Sequence, residues 1–234
     1  MFAIFRRDLR SYFTSVVGYT YIAVFLFFSG QYFSTGTMLA NTSDMTALFS
    51  QLLTIIMFLI PLLTMRSISE ERKLKTDLVL LTSPVSLFGI VMGKFLAALT
   101  VYIIAEIMTL PYVFVVMAYG KPEIYVILGN YLGLTLLGSA LIAIGLFVSA
   151  MTENQVVAAV GSFAIILSLR MIGWLAEYAQ SPVIIKIVQW ISIYSRYDYF
   201  QYGLLDLKTV VYYISLAAIF IFLTIRIFEK RRWS

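Results

Sequence analysis

Long apolar runs broken by short polar stretches dominate the pattern along this chain. Residues 16–38, 45–65, 86–118, 124–150, 155–174 and 208–226 each supply the roughly 20 apolar residues that a helix needs to cross the hydrocarbon of a bilayer. They predict six membrane-spanning helices and an all-α integral membrane fold. Ahead of the first run, residues 1–14 set Phe2, Phe5, Leu9 and Phe13 near helical spacing, with Arg6, Arg7 and Arg10 on the other side. That pattern predicts an amphipathic helix lying in the membrane interface. A frayed tail whose arginines stop transfer fits the same residues. Pro61 is expected to kink the second span near its end. The third span is long enough to be tilted or broken, and Pro111 interrupts it. In the fourth, Gly133 and Gly138 with Ala140 and Ala143 allow close helix packing. A substrate groove along those glycines is the alternative.

Two stretches depart from the apolar pattern. Residues 66–84 follow the second span and carry Arg66, Glu70, Glu71, Arg72, Lys73, Lys75 and Asp77. Leu74, Leu78 and Leu81 would give a helix there one apolar face. Such a helix offers charges to a soluble partner, and a solvated loop that merely sets topology accounts for it equally well. Residues 176–206 are semi-apolar and rich in aromatics, among them Tyr178, Trp190, Tyr194, Tyr197, Tyr199, Phe200 and Tyr202. Aromatic belts sit at headgroup level. The segment is therefore expected to form one or two short helices on, or dipping into, the outer interface.

Composition narrows the function classes. Hydrophobic residues make up 61% of the chain and charged ones 12%, about half the charged share of a soluble domain. With neither cysteine nor histidine, the chain has no thiolate, no disulfide and no imidazole base or ligand. The net charge of +5 reflects loop bias rather than a nucleic-acid surface. Putting the N-terminus in the cytoplasm places Arg6, Arg7, Arg10, Arg66, Arg72, Lys73, Lys75, Lys94, Arg226, Lys230, Arg231 and Arg232 there. The opposite side keeps only Lys121, Lys186, Arg196 and Lys208. Six spans then return the C-terminus to the cytoplasm, in agreement with its basic tail. The uncharged run after Ser11 is too long for the core of a signal peptide, so no cleavage is expected.

Catalytic signatures are missing. Gly93-Lys94 and Gly120-Lys121 lack the upstream glycine of a phosphate-binding loop, and no nucleophile–base pair or carboxylate-rich metal cluster is present. Two charges lie within spans, Glu106 in the third and Arg170 in the fifth. Charges in hydrocarbon are costly unless paired or hydrated. Equal depth and opposite sign suggest that they approach each other within or between subunits. Separate accommodation, with Arg170 reaching to the headgroups, is the competing reading. Gln31, Gln51 and Asn130 either line a pathway or satisfy interhelical hydrogen bonds.

Nearly the whole chain resembles the type-2 permeases of ATP-binding-cassette exporters. Glu70-Glu71-Arg72-Lys73 through Thr76, then Leu80-Leu81-Thr82-Ser83-Pro84-Val85, is similar to the run that follows the second span in that family. Gly93-Lys94-Phe95 resembles its early third span. The run from Gly145 through Ser149 and Thr152 to Gln155 resembles its fourth-to-fifth turn. Tyr199-Phe200, Gly203 to Asp206 and the tail ending at Trp233 are similar to the gliding-motility and copper-enzyme-maturation subgroup. The resemblance implies a type V exporter fold in a bacterial or archaeal plasma membrane. Two permeases, identical or paralogous, would pair with two ATPase subunits that bind ATP and magnesium. Residues 1–14 would be the elbow helix and 178–203 the external re-entrant helices. Residues 70–82 would be the coupling helix, with Glu70, Glu71, Arg72, Lys73, Thr76, Asp77 and Pro84 at the ATPase. Trp190, Tyr194, Tyr197 and Tyr199 would mark the external segment. Two positions depart from the family pattern: its glycine is Lys75 and its following glutamate is Leu78. Because lysine suits a helix better than glycine, the loop is expected to be more continuously helical here.

The leading expectation is thus a non-enzymatic permease subunit that moves a hydrophobic or amphipathic substrate outward. A membrane scaffold that regulates an envelope machine is the alternative. An ion-coupled secondary transporter would have to work with Glu106 and Arg170 alone.

Overall fold

The computed structural model describes residues 1–77, 85–178 and 192–232, with side chains given outside 174–178. Pro84 and Trp190 fall outside this set, as do residues 78–84 of the charged stretch and 179–191 of the aromatic one. The described residues are helical and contain no strand. Helix α1 (Phe2–Thr14) precedes α2 (Val16–Phe33), which ends in a π-helical turn over Ser34–Met38. Then come α3 (Thr46–Lys73), α4 (Leu87–Ile107), α5 (Leu110–Tyr119), α6 (Ile124–Met151), α7 (Gln155–Tyr178), the short α8 (Asp198–Gln201) and α9 (Leu207–Arg232). Six helical segments are long and apolar enough to cross a membrane: α2 with its π turn, α3, α4 with α5, α6, α7 and α9.

Helix α6 is the axis of the bundle. It packs against α3 and α9 most extensively and also against α4, α7 and α8. Its glycines make that possible. A Cβ on Gly138 would stand 2.5 Å from the Tyr102 ring of α4, and one on Gly133 would stand 2.8 Å from the Phe200 ring of α8. Gly145 meets Thr64 of α3 in the same way, while Ala140 and Ala143 are fully buried. The small residues are thus used for close packing, the first of the two readings. Asn130 follows suit: its amide donates to the Val126 carbonyl and its Oδ1 accepts from the Tyr197 hydroxyl at 2.9 Å.

Breaks in the helices follow local chemistry. The third span is interrupted at Met108 and Thr109, and α5 restarts with Pro111 in its first turn, where the missing N–H costs little. Ser86 caps α4 by accepting from the Gly89 N–H at 3.1 Å. Helix α3 passes through Pro61 without ending and continues eight residues beyond Met65, to Lys73. The first part of the charged stretch is therefore an extension of the second span. Both termini lie at one end of the bundle. Met1 sits against Gly93 at the start of α4, and Arg231 of α9 reaches Asp77 beyond α3.

Candidate functional site

At the end that carries both termini, α3 emerges from the apolar bundle and charges from three other helices converge on it. Lys94, in the second turn of α4, is 1% exposed. An ammonium so buried needs compensating charge. It finds Glu71 Oε2 at 2.8 Å, Asp8 Oδ2 at 3.1 Å and the Ser67 carbonyl at 2.8 Å. Arg7 closes the knot, 2.5 Å from Glu71 Oε1 and 2.7 Å from Asp8. Burial pulls the Arg7 guanidinium down, but the Asp8 and Glu71 carboxylates outweigh it and raise it overall. Tyr12 of α1 donates to the Leu63 carbonyl at 3.1 Å, and burial pushes its phenol up, which keeps that donor in place. Helix α1 is thereby fixed to α3 and α4, with a 220 Å³ cavity between them lined by Asp8, Tyr12, Arg66, Glu70, Glu71 and Lys94.

A second set of contacts fixes the tip of α3 from the opposite side. The Ser149 hydroxyl of α6 donates to the Met65 carbonyl and accepts from the Ile68 and Ser69 amides at 3.2 and 3.1 Å. Arg72 donates to the Ala150 carbonyl and faces Glu153 at 3.6 Å. Buried Asp77 lies 3.1 Å from Arg231, which also faces Glu153 at 3.6 Å. Arg66 and Glu70 form a two-pronged pair one helical turn apart, at 2.7 and 2.9 Å.

These contacts tie the charged stretch to the body of the chain. Glu70, Glu71, Arg72 and Asp77 all have partners within the chain: Glu71 meets buried Lys94, Asp77 meets Arg231, Arg72 meets the Ala150 carbonyl, and Glu70 pairs with Arg66 on an accessible face. The outward face consists of Lys73, Leu74, Lys75 and Thr76, with Leu74 65% exposed. The expected continuous helix is also absent at Lys75, whose φ is +57°. Helix α3 closes there in a Schellman motif, with Thr76 N–H donating to the Glu71 carbonyl and Lys75 N–H to the Arg72 carbonyl. The left-handed position favours glycine, so Lys75 occupies a glycine-like backbone state rather than extending the helix.

In the other half of the bundle the two span charges do not meet within the chain. Glu106 is buried and accepts from Thr135 Oγ1 at 2.9 Å. Arg170 donates to Thr54 Oγ1 at 3.0 Å and lies 5.4 Å from the Tyr194 ring centroid. Within the chain each of them meets a hydroxyl on a neighbouring helix instead. The aromatic segment is less superficial than its composition implies. Tyr197 and Phe200 are fully buried against α6, Tyr194 is half-buried, and Tyr199 is exposed. Gln201 anchors the segment to Ser50 at 3.1 Å, and the Tyr213 hydroxyl of α9 donates to the Ile193 carbonyl at 2.7 Å.

Sequence reasoning missed Asp8, Glu153, Ser149 and the pairing role of Lys94. The available signals were the family-like run from Gly145 to Gln155, which contains Ser149 and Glu153, and a lysine within an apolar span, which needs a counterion that spacing along the chain does not identify. Among the described residues, no group of three or more acidic side chains is placed to hold a metal ion.

A comparison with curated proteins gives no match. A family profile described as "ABC-2 family transporter protein" matches residues 3–233. That span takes in the six apolar helices, the charged end and the aromatic segment, so the chain belongs to the ABC-2 family of transporter proteins, as a multi-pass membrane subunit that works with a separate nucleotide-binding ATPase.

Proposed function

We propose that this chain is the permease half of an ATP-binding-cassette exporter in a bacterial or archaeal plasma membrane, akin to the gliding-motility and copper-enzyme-maturation permeases. A second permease, identical or paralogous, and two ATPase subunits complete the assembly. The charged end faces the cytoplasm, and the cargo is hydrophobic or amphipathic. The observation that carries this reading is the anchoring of one short turn by ion pairs from α1, α4 and α9. A turn held by three other helices transmits a push on its surface to the whole bundle instead of folding locally. Nucleotide binding stabilises one ATPase arrangement, and its differential affinity for one permease conformation supplies the drive. Residues 73–76 make the contact, together with Pro84, which lies outside the described residues. Glu71, Arg72 and Asp77 hold that surface in position from behind.

Co-purification tests the reading. Lys73→Glu, Leu74→Asp and Lys75→Glu together should release the ATPase while the permease keeps its melting temperature. Full retention of the ATPase by the triple variant rules out this docking surface. ATP-dependent loss of cargo from proteoliposomes separates export from a purely regulatory scaffold.

A further inference from the structure

Arg170 is the sixteenth residue of α7, about 22 Å along the helix from Gln155 at 1.5 Å per residue and about 12 Å short of its other end. It therefore lies in the half of the span away from the termini. A guanidinium has five N–H donors. One is used by Thr54, and the Tyr194 ring lies against the group. Among the described residues no carboxylate pairs with it, and its other N–H groups have no acceptor. An unpaired cation at membrane depth is expensive. Glu106, the other charge within a span, is turned inward onto Thr135 and is 4% exposed, so it is not available to a neighbouring molecule.

The surface around Arg170 is ordered from polar to apolar. On α3, Gln51, Thr54, Phe58 and Leu62 follow one another on one face; Gln51 is exposed, and Phe58 and Leu62 are about half-exposed. On α7, Phe163 lies two turns before Arg170 and stacks on Phe58 with ring centroids 4.8 Å apart. The polar groups thus sit toward the end of the bundle away from the termini, and the aromatic and aliphatic groups run toward the membrane middle. That is the head-to-tail order of an amphiphile in the corresponding leaflet.

We propose that Arg170, with Thr54 and Tyr194, binds the anionic headgroup of an amphiphile, a phosphate or carboxylate. Its acyl chain lies over Phe58, Phe163 and Leu62. The guanidinium matches such a headgroup with two parallel N–H donors and is more weakly hydrated than an ammonium. The site rests on the reading of the chain as a membrane permease, and it narrows the cargo to anionic amphiphiles or gives a resident lipid a fixed seat. Both sources share the same chemistry.

The full-length permease in neutral detergent is titrated with phosphatidylglycerol or phosphatidylcholine, and bound lipid is counted by native mass spectrometry. Wild type should hold phosphatidylglycerol about tenfold more tightly, the scale of one charge-assisted hydrogen-bond pair. Arg170→Gln should abolish the preference, Arg170→Lys should retain part of it, and Thr54→Val should reduce it while leaving the melting temperature close to wild type. Equal affinity for the two lipids in wild type overturns the site, as does a preference that survives Arg170→Gln. Conversion of dimers to monomers by Arg170→Gln also overturns it, because the counterion then belongs to a second copy. In vesicles containing the ATPase, ATP-driven movement of labelled phosphatidylglycerol identifies the bound lipid as cargo, and a bound but stationary lipid identifies it as resident. Absence of ATPase association would remove the export reading, while the lipid titration would still decide the site.

Discussion

The Lys94 ammonium lies 2.8 Å from the Glu71 carboxylate, across the boundary between the second and third spanning helices. Lys94 is almost fully buried, whereas Asp8 and Glu71 keep 13% and 18% of their side-chain surface. Replacing the lysine therefore strands two partly buried carboxylates beside a single arginine. Lys94→Met should cost about 3 kcal/mol, the usual scale for removing one partner of a buried pair. Thermal unfolding of the purified permease should show a clear drop in Tm, with Lys94→Arg recovering part of it. A wild-type melt for Lys94→Met would mean that water, not the lysine, compensates the carboxylates.

Neighbouring glutamates should respond differently to charge reversal. Glu70 pairs with Arg66 on an accessible helix face, where such i,i+4 pairs contribute only about 0.3–0.5 kcal/mol. Glu71 points into the knot between Arg7 and Lys94. Glu70→Lys should leave the fold intact, whereas Glu71→Lys places a third cation beside two others and should unfold or loosen that end. Comparing yield and Tm of the two variants decides it, and equal behaviour would contradict the inward placement of Glu71.

Lys75 holds a left-handed conformation that costs a non-glycine residue about 1–2 kcal/mol. Glycine removes that strain and gives back part of the gain through its freer unfolded state. Lys75→Gly should therefore stabilise the permease by up to about 1 kcal/mol, and Lys75→Val should destabilise it. The pair of melting curves checks the sign. Destabilisation by glycine would show that the lysine side chain contributes something at this turn beyond its backbone state.

The bundle was legible in the sequence because apolar length is a local property. The six spans, the interruption near Pro111 and the tight-packing role of Gly133 and Gly138 all follow from residues read within one segment. Interactions between segments were not legible. Nothing near Glu71 in sequence points to Lys94, twenty-three positions on, or to Asp8 far upstream. Glu106 and Arg170 have opposite sign and each lies within a span, but within the chain a threonine on another helix takes up each of them. At Lys75 helix propensity gave the wrong local structure. The helix had to end where Asp77 meets Arg231, and that tertiary requirement outweighs a preference worth a fraction of a kcal/mol. Which rings of the aromatic segment are buried was not legible either. Composition does not distinguish exposed rings, such as Tyr199, from rings that fill the glycine-lined surface of α6, such as Phe200.

Gly138 tests how tightly the axis of the bundle is packed. A Cβ there would stand 2.5 Å from two ring carbons of Tyr102 and 2.8 Å from its hydroxyl oxygen. Tyr102 is fully buried and cannot swing aside freely, because its hydroxyl donates to the Leu134 carbonyl at 2.9 Å. Alanine must therefore separate α4 from α6 or break that hydrogen bond. Overpacking of this kind costs about 1–3 kcal/mol, and loss of the hydrogen bond adds about 1 kcal/mol. Gly36 is the control, since a Cβ there meets nothing within 4 Å. Gly138→Ala should lower Tm by several degrees while Gly36→Ala leaves it near wild type. Adding Tyr102→Leu should make room for the new methyl, so the double variant should be more stable than the sum of its parts predicts. Simple additivity would mean that the two residues do not share the contact that holds α4 against α6.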